Sequence, residues 1–157
     1  MDPAHAHLIL NHLPILGTFF GLCLLAYGLF RKKKELENAG LVTLVIVALL
    51  TIPVFFSGEG AEEIVEHIPG VSEQFLEQHE ELAETALWLM IATGAASLLT
   101  IIIPYLSDSK NTMFRIIPLL LAAITFAMMV MVGNYGGKIR HSELRNDSVE
   151  QVEQNED

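Results

Sequence analysis

The chain has one cysteine in 157 residues, which excludes an intrachain disulfide. Cys23 lies inside an apolar block, reads as a small buried hydrophobe, and says nothing about compartment. Basic residues are scarce, nine Lys and Arg against nineteen Asp and Glu, for a net charge of -10. With no basic stripe to displace counterions, nucleic acid is excluded as a partner. There is no Gly-rich phosphate loop, no nucleophile motif and no Cys-x-x-Cys-His. The central parts of the apolar blocks also lack charge, which weighs against an ion pump or a coupled transporter.

What is present is segregation. The composition is 52% hydrophobic with a mean hydropathy of +0.44, and the apolar residues fall in four blocks with the charges between them. A bilayer core needs roughly 20 apolar residues in a helix. The spans expected are 8–30, 41–56, 82–105 and 113–132. The second is short and contains Pro53, so its neighbours complete it or the proline kinks it near one face. The first is too long, and too bare of preceding Lys or Arg, for a cleaved signal peptide.

Lys and Arg set the direction. Arg31, Lys32, Lys33 and Lys34 follow the first span, and Lys110 and Arg115 flank the connection between the third and fourth. The connection 57–81 has no Lys or Arg and is rich in Glu. The basic loops are therefore expected in the cytoplasm, with both termini and the acidic loop on the outer, periplasmic or extracellular side. Lys138, Arg140 and Arg145 are a minor opposing signal. Tyr27 and Tyr105 then fall near the inner interface, and Trp88 and Tyr135 near the outer one, where amphipathic rings sit. The expected architecture is an all-α integral membrane bundle of four helices over residues 1–141, multi-pass in a bacterial inner membrane, with lipid as its surroundings. Residues 142–157 read as an acidic disordered tail.

The acidic loop has helical texture. Residues 59–67 suggest a short amphipathic helix stopped by Pro69-Gly70, and Ser72 before Glu73 reads as the start of the third helix, which would project outward. The fourth helix is expected to continue past Val132 through Gly-Asn-Tyr-Gly-Gly-Lys-Ile-Arg-His. Gly133 and Gly137 form a small-xxx-small face that admits another helix, in a homo- or hetero-oligomer, or a flat ligand. The alternative is that these glycines simply end the helix. The acidic run is chiefly a solvated surface, with docking of a basic electron carrier as its sharper reading.

All six histidines fall on the expected outer side: His5, His7, His12, His67, His79 and His141. Imidazole near hydrocarbon is costly unless hydrogen-bonded, paired or bound to a metal. By helical rise, His7, His79 and His141 can share a layer, with His12 just below it. Two histidines from facing helices can bind haem iron axially. Three histidines with a carboxylate from Glu59, Glu63, Glu80 or Glu84 can hold Zn, Cu or Fe. The same residues can carry protons without metal, or only hydrogen-bond headgroups and backbone. His5 and His67 read as solvated.

His-Leu-Ile-Leu-Asn-His-Leu-Pro-Ile, which contains His7 and His12, resembles the opening His-Pro-Leu-Leu-Val-His-Phe-Pro-Ile of a bacterial four-helix membrane domain family of unknown function. Ser57-Gly58-Glu59 is similar to that family's Thr-Gly turn after helix two, His79 to its mid-chain histidine, and the Gly-Asn-Tyr-Gly-Gly segment to its closing motif. The resemblance covers about residues 5–141, and Leu8 departs from it where the family has Pro. Members occur alone or joined to cytochrome c-like or Rieske-type modules, which implies membrane electron transfer with haem b.

The function expected is thus a small redox protein. Haem b would be held by His7, His12, His79 and His141, with Gly133, Gly136 and Gly137 making room for the macrocycle. Electrons would pass between a quinone pool or membrane partner and an outer carrier. The alternatives are a non-haem Zn, Cu or Fe site on the same four histidines, and a structural subunit of a larger complex without cofactor. No residue pattern assigns an enzymatic reaction.

Overall fold

A computed structural model describes residues 3–106 and 113–141. The expected acidic tail 142–157, Lys110 and the ring of Tyr105 lie outside the described residues. The described chain is helical, with no strand. Helix α1 spans Pro3–Leu10, α2 His12–Arg31, α3 Lys34–Val65, α4 Glu73–Leu106 and α5 Met113–Arg140.

The first expected span is broken into α1 and α2 at Asn11. Pro14 causes this: its ring cannot accept the carbonyl of Leu10 one turn earlier and it offers no N–H. Asn11 keeps αR dihedrals, so the joint is a kink, and His7–Arg31 still runs as one membrane-long rod. Proline has a milder effect at Pro53, inside α3, where the neighbouring apolar residues carry the helix through. The helix does not stop after the second span. Residues 57–65 continue α3, so Ser57-Gly58-Glu59 is not a turn and the separate short helix expected at 59–67 is the end of α3. No residue between Phe56 and Val65 lacks an N–H, so nothing forces a break there. Gly70 takes φ +89 in the reversal. Helix α4 then begins at Glu73, where the sequence places it, with the Leu76 N–H on the Ser72 carbonyl at 3.0 Å.

Four helices are long and apolar enough to cross a membrane: His7–Arg31, Lys34–Val65, Glu73–Ile103 and Phe114–Ile139. They pack as a ring: α2 on α3, α3 on α4, α4 on α5, and α5 back on α2, with α1 along α3. The outer surface is apolar. Phe19, Phe20, Leu49, Trp88, Leu99, Leu120 and Ile124 are all exposed, a surface suited to lipid and not to water. Cys23 is on this surface too, exposed where the sequence suggested burial, because Gly21, Leu25 and Gly28 take the inward face of α2.

The interior is small and hydroxyl-bearing. In lipid no hydrophobic force drives helices together, so close packing and interhelical hydrogen bonds do that work. A Cβ on Gly40 would come within 2.6 Å of the Leu25 nitrogen and 2.9 Å of the Gly21 oxygen, which puts α2 and α3 in backbone contact. Gly94 of α4 lies as tightly on Ala48 of α3. Thr93 Oγ1 donates to the Leu89 carbonyl at 2.8 Å and so accepts from Thr125 Oγ1 of α5, also at 2.8 Å. Thr18 Oγ1 of α2 lies 3.4 Å from Met90 Sδ and 3.5 Å from Met129 Sδ, joining three helices at one point.

At the end holding the α2–α3 connection, Lys32 adopts φ 55 and ψ 39. The Lys32 and Lys33 N–H groups reach back to the Leu29 and Gly28 carbonyls, a Schellman closure with lysine in the left-handed position. The chain enters α3 at once, and the Glu37 carboxylate falls inside, its side chain 3% exposed. Arg115 of α5 pairs with it at 2.8 Å and Lys34 at 3.1 Å, and Arg115 also donates to Asn38 Oδ1 at 3.1 Å.

Two outcomes follow for stability in detergent. Gly40→Ala should lower it by about 1–3 kcal/mol, since the new methyl meets backbone that cannot yield; Gly133→Ala, which faces only the mobile Ile15 Cδ1 at 3.3 Å, should change it little. Arg115→Ala should cost about 3 kcal/mol by leaving a buried carboxylate short of its main partner, and the Glu37→Gln/Arg115→Ala double variant should recover part of the loss.

Candidate functional site

The opposite end of the bundle gathers the ends of α1, α3, α4 and α5. The Ser72 N–H donates to the Ile139 carbonyl at 3.3 Å, tying the α3–α4 connection to the end of α5. Lys138 stacks over the rings of Phe75 and Tyr135, at 5.7 and 5.3 Å from their centroids. A groove of about 250 Å³ opens here between α3 and α4, lined by Glu62, Glu66, Glu73, Leu76, Glu77 and Glu80. Its lining includes neither of the two histidines described next.

His7, on α1, is half-buried against α3. Its Nδ1 lies 3.0 Å from Ser57 Oγ. The Gly58 backbone leaves the room for the ring, since a Cβ there would sit 3.2 Å from His7 Cε1. His79, on α4, is packed in the same manner against α5. Its Nδ1 donates to the Val132 carbonyl at 3.0 Å, and a Cβ on Gly136 would meet its Cε1 at 3.0 Å. Because a carbonyl can only accept, the proton of His79 is on Nδ1 and Nε2 holds a lone pair.

The other histidines stand apart. His12 is exposed at the first position of α2, five residues inward of His7, and His141 is exposed after the last turn of α5, five residues beyond Gly136. Each separation is about 7.5 Å of helical rise. The structure thus packs His7 against α3 and His79 against α5 at the same end of the bundle, and leaves His12 and His141 on the surface. His5 is exposed on α1, and His67, just past the end of α3, is exposed with Nδ1 3.0 Å from the Glu63 carbonyl in the last turn of that helix. Among the described residues no group of three or more His, Cys, Asp or Glu gathers closely enough to hold a metal ion, so Glu59, Glu63, Glu80 and Glu84 join no such cluster.

The glycines of α5 take different roles. Gly136 is filled by the His79 ring, Gly133 is exposed with Ile15 as its neighbour, and Gly137 is half-buried and accepts the His141 N–H at 3.2 Å. Sequence reasoning missed Ser57 as a partner of His7. The signal for it was the last hydroxyl along α3 after Thr43 and Thr51, at the level His7 reaches when antiparallel spans are aligned. Asn11 Oδ1, one turn from His7 on the kink, is buried without a hydrogen-bond partner among the described residues.

No protein-family model, curated protein or solved structure matches this chain.

Gly136→Ala should drive the His79 ring off the Val132 carbonyl. In histidine-labelled protein the slowly exchanging Nδ1–H of His79 should be visible in the wild type and lost in the variant, while Gly133→Ala keeps it.

Proposed function

We propose that the chain is a small redox protein of the membrane in which His7 and His79 are the axial ligands of a b-type haem. One observation carries this reading: two partly buried imidazoles from different helices, each with Nδ1 engaged, so that Nε2 is the nitrogen left to a ligand. Metal-bound histidines are held in this way, by the second nitrogen on a carbonyl, hydroxyl or carboxylate. Haem iron asks the protein for only one or two axial ligands, whereas mononuclear zinc asks for three or four. Among the described residues no group of three or more His, Cys, Asp or Glu gathers as the second demand requires, so two histidines suit the first. The resemblance of the His7–His12 and Gly133–His141 segments to a domain found beside cytochrome c-like and Rieske-type modules supports the same reading.

Bound there, haem supplies one-electron exchange between a quinone pool or membrane partner and a carrier at the acidic end. This chain's residues do the rest. Val132 and Ser57 orient the rings, and Gly58 and Gly136 let them lie against backbone. The glutamate groove gives the same end a negative surface that suits a basic carrier. In the bacterial inner membrane the Arg31–Lys34 and Arg115 end lies in the cytoplasm by the positive-inside rule, and the histidine pair near the outer face. His12 and His141, exposed and apart, are not needed for an axial pair.

Protein purified in detergent from haem-replete cells should show a Soret band and an α-band on reduction. His7→Ala and His79→Ala should each abolish or shift both bands, and His12→Ala and His141→Ala should retain them. A colourless wild-type preparation would sink the reading.

A further inference from the structure

Ser57 faces His7 from α3, and the Val54 carbonyl one turn earlier borders the same ring and, like any carbonyl, can only accept. A serine hydroxyl has one proton to give. Ser57 Oγ donates it to the Val54 carbonyl, 2.6 Å away on the preceding turn of α3. A carbonyl has no proton to offer in return, so that assignment is unambiguous. Toward His7, 3.0 Å away, the same oxygen can only present a lone pair. The Nδ1 of His7 must then be N–H.

We infer that Ser57 is a positioning residue that locks His7 in the Nδ1–H tautomer and so makes Nε2 its ligating nitrogen. The reverse tautomer would place a proton on Nε2 and close that atom to a metal until the proton left. The hydrogen bond at one ring nitrogen generally decides which nitrogen is free for the metal. Gly58 completes the device, since a side chain there would push the ring away from Ser57. The same two-part arrangement recurs on α5, where the Val132 carbonyl sets the tautomer of His79 and Gly136 gives its ring room. A carbonyl cannot be removed by substitution, whereas the Ser57 hydroxyl can, so the two ligands can be tested separately.

The consequence for haem rests on the proposed function, but the tautomer does not. The test is long-range ¹⁵N–¹H correlation of histidine-labelled full-length protein in detergent micelles, with and without added haem. The wild type should show His7 and His79 both as Nδ1–H. Ser57→Ala should move His7 toward the Nε2–H form and leave His79 unchanged, and Ser57→Thr should restore the wild-type pattern. In haem titrations of the same samples, Ser57→Ala should weaken binding by about tenfold, as loss of a ligand's outer hydrogen bond commonly does, and Ser57→Thr should not. A wild-type His7 that is mainly Nε2–H, or a His7 tautomer unchanged in Ser57→Ala, overturns the inference. A protein that takes up no haem yet shows the expected tautomers overturns the proposed function alone.

Discussion

The close backbone approach of α2 to α3 is the contact on which the bundle depends. Gly21 and Gly40 bring the two helices so close that a Cβ on Gly40 would meet the Leu25 nitrogen and the Gly21 carbonyl, while Leu44 fills the space at Gly21. Gly28 continues the seam to Glu37, and Gly17 meets Val47 further along. This seam has local and distant effects. It draws Glu37 inside, where Arg115 of α5 must meet it. It also brings Thr18 to the bundle axis, where it reaches Met90 and Met129 on the two helices opposite. A bundle in lipid gains little from burying Leu against Leu, because lipid tails are equally apolar. Shape and hydrogen bonding therefore select the partners, which accounts for the alanines and threonines set among Leu25, Leu41, Leu44, Met90 and Met129 in the interior.

Three buried threonines are tolerated for a common reason: each uses the backbone of its own helix. Thr51, Thr93 and Thr100 donate to the carbonyls of Val47, Leu89 and Ala96, one turn back. Thr100 also lies 2.9 Å from the Phe114 carbonyl of α5, where the local bond becomes an interhelical one. His7 and His79 differ from these hydroxyls. Each reaches across to a neighbouring helix with one nitrogen and retains a second for something else. That spare nitrogen separates this end of the molecule from the rest of its polar interior.

Much of this was legible in the residues. Four apolar blocks separated by charge define four spans, and Ser72-Glu73 marks the start of α4. Helical rise alone places His79 near His7. The rest was not legible, for identifiable reasons. The break at Asn11 depends on how Pro14 meets the Leu10 carbonyl, a clash that Pro53 and Pro118 evade while remaining inside their helices. The Ser57-Gly58-Glu59 segment looks like a turn by composition but continues α3, because helix end signals are weak against thirty residues of membrane-long helix. The Gly17, Gly21 and Gly28 seam was hidden by the more conspicuous Gly133–Gly137 cluster, although its spacing of four and seven lies on one helix face.

The sequence by itself determined the number of helices long and apolar enough to cross a membrane, the charge at the two ends of the bundle and the supply of histidines, because these depend only on hydropathy, charge and helical pitch. Only the tertiary structure decided which histidines pack against a neighbouring helix. His7, His12, His79 and His141 are equivalent candidates along a line, but a helix face and a partner's glycine are properties of packing. Gly58 and Gly136 admit the rings of His7 and His79, while His12 and His141 point to the surface. Helical pitch gives the level of each histidine, but whether it is buried or exposed there is set by the helix packed beside it.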